Sequence, residues 1–262
     1  MAPCVLAAIS IFCSPYTIAM KKLLALFFLF ALALAVLAFI APKKKDRVLV
    51  FSMTRGFRHK SIADGIAAIQ QLGKLHGFDV EATEDSTAFN RYKDLKPYKA
   101  VIFLSPTGNG LFNTDQQQAF MQYMHHGGGF VGIHAATDCL YDWPWYGRMV
   151  GGYFVKHPPV QLATLQVVDS LHPATKGLPA LWKHRDEWYN FKQFNTDVRV
   201  LIKLDESSIQ GGDMHGNHPI SWYHAFEGGR VFYTGLGHTP EAYSDSLFLQ
   251  HLLGGILYAM NK

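Results

Sequence analysis

Three runs in the first half of the chain, RVLVF at 47–51, YKAVIFLS at 98–105 and FVGI at 130–133, carry apolar side chains at successive positions rather than alternate ones. Neighbouring side chains of an extended strand point to opposite faces, so a strand that is apolar throughout must be covered on both. Stretches of helical spacing lie between them. Residues 61–77 repeat Ile62, Ile66, Ile69 and Leu72, with Ser61 placed as N-cap and Gly77 as stop, and 114–126 follows the turn-forming Gly108, Asn109 and Gly110. A short strand at 79–83, a late one at 230–236 (RVFYTGL) and a closing helix at 246–259 complete the alternation. Doubly covered strands separated by helices predict a doubly wound α/β fold with a mostly parallel sheet. From 160 to 226 the period changes. VQLATLQVVD, EWYNF, VRVLIKLD and HPISWYHAF read as strands with no helix between them, hence extra antiparallel strands at the sheet edge or a flap over its C-terminal rim.

The N-terminus has a different character. Residues 21–45 read KKLLALFFLFALALAVLAFIAPKKK, two lysines, an apolar run of 19 residues at 23–41 and a return to charge. Such a segment addresses a chain to a membrane, so 1–45 is expected to be a leader with a signal peptide or membrane anchor, and 46–262 the domain. The run is long for a signal-peptide core and just long enough to span a bilayer. Ala38 gives a peptidase a small residue, whereas Lys43, Lys44 and Lys45 resist translocation. Export to a periplasmic or extracellular space and retention in the membrane both follow, and Met20 marks a second candidate start of translation. Cys4 and Cys13 fall in the leader and leave Cys139 alone, which excludes a disulfide within the domain. The net charge is +4, with cationic residues scattered apart from 43–45. Nothing in that distribution suits a phosphate backbone, so nucleic acid is not an expected partner. Self-association into a homo-oligomer stays open.

Ligands of an open parallel sheet bind beyond the carboxyl ends of its strands. The segments just past the candidate strands are SMTRGFRH (52–59), PTGNG (106–110), HAATD (134–138) and GLGHTPE (235–241), and three of the four carry a histidine: His59, His134 and His238. One histidine among thirteen is by default a surface or hydrogen-bonded structural residue. Three at the same rim are hard to obtain by independent placement. The small Gly132, Ala135 and Ala136 around His134 suit a sharp strand-to-helix turn whose apex projects into the crevice, although Gly127, Gly128 and Gly129 also serve to end the preceding helix. Imidazoles from separate loops can hold a divalent metal such as zinc, with Glu187 the expected carboxylate and His157 the next ligand. The same residues read equally as a metal-free acid–base set, His134 and His238 exchanging protons with Glu187. Cys139, five residues past the apex, is a third candidate, as a thiol nucleophile.

The body of the chain resembles the ThuA-like (trehalose-utilisation) family, whose fold is similar to that of the class I glutamine amidotransferases. The resemblance rests on GFRH at 56–59, GGGFVGIHAATD at 127–138, YDWPWYGRMVGGYFVKHP at 141–158, DEWYNF at 186–191, LDESS at 204–208, HPISW at 218–222 and TGLGHTPEAY at 234–243. In the amidotransferases the elbow apex is a nucleophilic cysteine, here replaced by His134, and a later strand delivers a histidine followed by a glutamate, which His238 and Glu241 would mirror. The resemblance implies a carbohydrate substrate, an oxidised 3-keto-glycoside among the candidates, and hydrolysis, elimination or isomerisation as the reaction. The alternative it leaves is a non-catalytic carbohydrate-binding protein that keeps the amidotransferase-like frame. Sugar rings stack on aromatic faces, so Trp145, Trp188 and Trp222 join Arg55, His59, Asp138 and His157 as expected substrate contacts, with Asp186 a further hydroxyl partner. Core packing is expected to claim at least half of the aromatic residues around them.

Overall fold

Every residue of β3 (Ala100–Leu104) and β4 (Gly129–Ile133) is buried, as their uninterrupted apolar character requires. They lie at the centre of a nine-stranded sheet with β1 (Asp46–Phe51), β2 (Phe78–Thr83), β6 (Gln161–Val167), β7 (Leu181–Asp186), β9 (Arg199–Leu204), β10 (His218–Phe226) and β11 (Gly229–Thr234), in the order β2-β1-β3-β4-β11-β10-β9-β6-β7. The first five strands of that order run parallel and the remaining four add antiparallel. The α/β fold with a mostly parallel sheet and antiparallel additions is therefore what the pattern predicts.

Helices cover both faces. They are α1 (Ile62–His76), α2 (Tyr92–Leu95), α3 (Thr114–His125), α4 (Pro144–Val150) and α5 (Ser246–Ala259). In-register Phe103, Gly132 and Tyr233 share one face, where Phe103 stacks on Phe120 of α3 at 5.6 Å and on Tyr146 of α4 at 5.7 Å. Phe232, one position along and so on the opposite face, meets His251 of α5 at 5.2 Å.

The structure is a computed structural model describing residues 20, 23, 24, 26–30 and 45–262, and Lys45–Lys262 form one compact unit. The expected leader thus falls almost wholly outside the described residues; 20, 23, 24 and 26–30 are helical with exposed side chains. Among the described residues no helix is long and apolar enough to cross a membrane.

Four local features depart from the sequence reading. β7 is unanticipated because LWKHRD turns Leu181, Lys183 and Arg185 outward on an edge strand, which leaves no apolar run to notice. EWYNF contributes only its end to β8 (Asn190–Lys192), which pairs with the equally unanticipated β5 (Tyr153–Lys156) in a separate two-stranded sheet. Past β4 the chain makes one 3-10 turn, His134–Thr137, rather than a full helix. Gly77 closes α1 in the left-handed region at φ 78°, as expected, but the Ser61 hydroxyl does not cap that helix and instead donates to the carbonyl of Gly237 at 3.0 Å.

Candidate functional site

Four strand ends deliver the site. The loop after β1 brings His59, the end of β4 brings His134, the end of β7 brings Glu187 and the loop after β11 brings His238. His134 takes φ 49°, a left-handed conformation uncommon for a residue with a side chain, and this turns the imidazole off the strand axis. Small neighbours make the turn sterically feasible, since a Cβ on Gly132 would meet Tyr233 Cδ2 at 2.9 Å and Ala136 Cβ at 3.1 Å. The Tyr233 hydroxyl donates to the His134 carbonyl at 2.8 Å and holds the turn in place.

His134 is fully buried. Its Nδ1 lies 2.9 Å from the Gly235 carbonyl, an obligate acceptor, so Nδ1 donates there and Nε2 is the nitrogen that faces the other site residues. That Nε2 stands 3.1 Å from His238 Nδ1 and 3.5 Å from Glu187 Oε2, while His238 Nδ1 is 3.0 Å from the same carboxylate oxygen. The other oxygen, Oε1, is engaged by His157 Nδ1 at 2.9 Å. His59 packs edge-to-face on His134 and His238, with ring centroids 4.8 and 5.1 Å away, and its Nδ1 is buried without a hydrogen-bond partner. One ligand atom from each of His59, His134, Glu187 and His238 lies within 4.8 Å of every other.

Electrostatics separates the roles of these groups. Burial drives the His59 imidazole down to about 2, and the neighbouring His134 and His238 push the same way. Burial would raise Glu187, but the His134 and His238 imidazoles beside its carboxylate outweigh it and hold the carboxyl down to about 2. Burial would lower His238, yet the Glu187 carboxylate beside it carries it above the usual imidazole value. The centre is thus an ionised carboxylate among imidazoles, one of which resists protonation. Tetrahedral coordination at metal–ligand bonds of about 2.0–2.1 Å needs ligand atoms roughly 3.3 Å apart. The edges of 3.0, 3.1 and 3.5 Å between Glu187, His134 and His238 match that spacing. The Gly235 carbonyl behind His134 and the His157 imidazole behind Glu187 supply the outer hydrogen bonds that orient metal ligands. Three of the four ligand atoms thus have the spacing a tetrahedral divalent ion would need, and His59, whose ligand atom lies within 4.8 Å of the others, is the fourth residue that could join them.

A crevice of about 290 Å³ opens beside His238, lined by Phe57, Lys60, Val160, Thr239, Pro240 and Glu241. Phe57 is 65% exposed and meets His59 edge-on at 4.9 Å.

The trehalose-utilisation (ThuA) family model matches residues 47–259. The chain belongs to the ThuA family. A ThuA-like protein from Bacteroides uniformis is 27% identical, with a TM-score of 0.71 over 84% of this chain and 93% of that one. One from Parabacteroides merdae is 22% identical, with a TM-score of 0.69 over 83% and 90%. A β-galactosidase from Bacillus circulans sp. alkalophilus shares the fold in one part of its length, at 15% identity and a TM-score of 0.54, covering 84% of this chain and 32% of that one. Curated proteins yield no sequence match.

In this ThuA-family chain the histidines named from the strand-end rule, His59, His134 and His238, stand together with Glu187 and His157. Other expected contacts do not join them. Trp188 and Trp222 are fully buried, their indole N–H groups donating to the carbonyls of Gln161 and Val150, each at 2.9 Å. Trp145 donates to Glu227 at 2.9 Å and stacks on Trp143 at 5.0 Å. All three indoles are structural supports with no free face for a sugar. Asp186 is fully buried and saturated by backbone N–H groups, so it cannot take a hydroxyl. Arg55 is exposed, with its backbone N–H on the Thr107 carbonyl at 2.8 Å, and half-buried Asp138 accepts the Tyr141 hydroxyl at 2.6 Å; neither adds a ligand atom to the cluster. Glu241 lies on the crevice rim and is exposed, so the carboxylate beside His238 is Glu187 instead. Cys139 is sealed, its Sγ 3.6 Å from the Tyr146 hydroxyl, and burial pushes the thiol well above its usual value, the opposite of what a nucleophile needs. Phe57 went unremarked in the sequence, although an aromatic residue between Arg55 and Arg58, in a loop ending at His59, was a legible signal.

Proposed function

We propose that this ThuA-family protein is an enzyme acting on a carbohydrate, with His59, His134, Glu187 and His238 holding a divalent metal such as zinc at the reaction centre. The observation that carries the reading is the convergence of four ligand atoms within 4.8 Å from four strand ends. A bound metal would supply Lewis-acid polarisation of a sugar carbonyl or hydroxyl and acidify a water molecule. The chain's own groups do the rest. The Gly235 carbonyl fixes the His134 tautomer, His157 turns Glu187 Oε2 toward the imidazoles, and the buried walls exclude water. His238, with 21% of its side chain accessible, faces the crevice where a substrate would lie.

The family's trehalose-utilisation description and the exposed Phe57 beside Lys60 and Glu241 support a sugar ring in that crevice, apolar face on the aromatic ring and hydroxyls toward the charged rim. A 3-keto-glycoside suits the residues. An imidazole–carboxylate pair can hold the proton removed from the carbon beside a carbonyl, a step shared by elimination and isomerisation. The apolar run at 23–41 supports export or membrane tethering of the enzyme.

A second reading has its own observation. The 3.1 Å contact between His134 Nε2 and His238 Nδ1 is a hydrogen-bond distance, so the same residues without metal form a proton relay ending on Glu187. Turnover of a panel of oxidised glycosides by protein purified without an affinity tag, before and after chelation, separates the two. Loss on chelation and restoration by zinc is expected. Turnover that survives chelation selects the relay, and turnover that survives His134→Ala removes both.

A further inference from the structure

Glu187 and His238 reach each other from elements 51 residues apart, and neither loop is held by regular sheet pairing at that point. One side chain joins them. Asp186, 0% exposed, accepts the N–H of Glu187 at 2.9 Å and of His238 at 3.0 Å on Oδ1, and the N–H of Gly237 at 2.7 Å on Oδ2. Its Oδ2 also lies 3.4 Å from His184 Nε2, and the other nitrogen of that ring is 3.0 Å from Asp245, the residue that caps α5. Gly237 is held from the other side too, because the Ser61 hydroxyl donates to its carbonyl at 3.0 Å. The residue sits at φ 108°, and a Cβ there would meet the Tyr243 hydroxyl at 2.7 Å, so the loop has little freedom to adopt another path.

We propose that Asp186, assisted by Ser61, is the positioning residue that sets the spacing of Glu187 and His238. Adjacent carboxylates in one dipeptide therefore serve opposite ends: Glu187 faces the imidazoles, and Asp186 faces inward to bind backbone. A carboxylate does this better than any neutral acceptor, because one group takes three N–H donors from two loops with charge-assisted bonds. An amide in its place offers one acceptor oxygen and turns an NH₂ group toward an N–H. The proposal rests on the site described above but not on the metal.

The test uses the full chain, wild type and as Asp186→Asn, Asp186→Glu and Ser61→Ala. Imidazole nitrogen signals are recorded by two-dimensional NMR on metal-free protein, and zinc affinity is measured by chelator competition. Asp186→Asn is expected to shift the His134 and His238 ring signals, to leave amide signals remote from 184–190 and 235–240 in place, and to weaken zinc at least tenfold. Asp186→Glu is expected to recover part of the ring signals, and Ser61→Ala to give a smaller shift in the same direction. Ring signals and zinc affinity in Asp186→Asn within twofold of wild type would overturn the proposal. Unfolding of both Asp186 variants would overturn it as well, by assigning the residue to the fold. If the wild type binds no zinc while the ring signals still move in Asp186→Asn, the positioning role stands and the metal reading falls.

Discussion

Gly132→Ala tests the elbow that presents His134. The added Cβ would lie 2.9 Å from Tyr233 Cδ2, 3.1 Å from Ala136 Cβ and 3.3 Å from Phe130 Cε1, all closer than ordinary contact. Tyr233 has no free direction in which to yield. It is fully buried, stacks on Trp222 at 4.2 Å, and uses its hydroxyl to bind the His134 carbonyl at 2.8 Å and Thr137 Oγ1 at 3.1 Å. Overpacking of this kind costs about 1–3 kcal/mol, and the stiffer unfolded chain returns about 0.4–1 kcal/mol. A net loss of about 1–2 kcal/mol is expected, with roughly 1 kcal/mol more if the Tyr233 hydroxyl leaves His134. At about 2–4 °C per kcal/mol for a domain of this size, a loss of about 1–3 kcal/mol should lower Tm by about 2–12 °C. Denaturant titration and thermal unfolding measure the loss, and chelator competition reads the zinc affinity of the same samples, which is expected to fall together with stability. An alanine variant as stable as the wild type with unchanged affinity would refute the packing argument.

Two further predictions concern acid and substrate. His251 is fully buried on α5, and burial holds its imidazole down to about 4 against an ordinary 6.5. The unfolded chain therefore takes up a proton that the folded chain refuses, so stability is full above pH 6.5 and falls as pH drops toward 4, by about 3 kcal/mol from this residue. Comparing urea unfolding of wild type and His251→Gln across that window should show the steeper acid loss in the wild type, and parallel curves would contradict the assignment. Phe57→Ala should weaken binding of an oxidised glycoside that the wild type turns over, followed by saturation-transfer NMR or calorimetry, about tenfold with little change in Tm, while Phe57→Tyr keeps it. Equal affinity in all three would remove Phe57 from the sugar site.

The parts of this molecule that follow from period and burial were legible in its sequence. Continuous apolar strands demand a doubly covered sheet, and the rule that ligands gather past strand ends picks out His59, His134 and His238, which the fold brings together. Glu187 was legible only through its motif, because β7 alternates charged and buried residues at the sheet edge and carries no apolar signature of a strand. The tryptophans were misread for a related reason: aromatic richness reports that a region is packed, not which face a ring presents, and the indoles of Trp188 and Trp222 end on backbone carbonyls inside the core. The work of Asp186 could not be read at all, since it depends on a loop 51 and 52 residues away arriving with the N–H groups of Gly237 and His238 turned inward.

Calorimetric titration of metal-free protein with zinc tests most directly whether the four side chains act as one centre. One ion per chain is predicted for the wild type, lost in His134→Ala and in Glu187→Gln. Failure of the wild type to take up zinc, or equal uptake by all three proteins, would contradict a centre built from these residues.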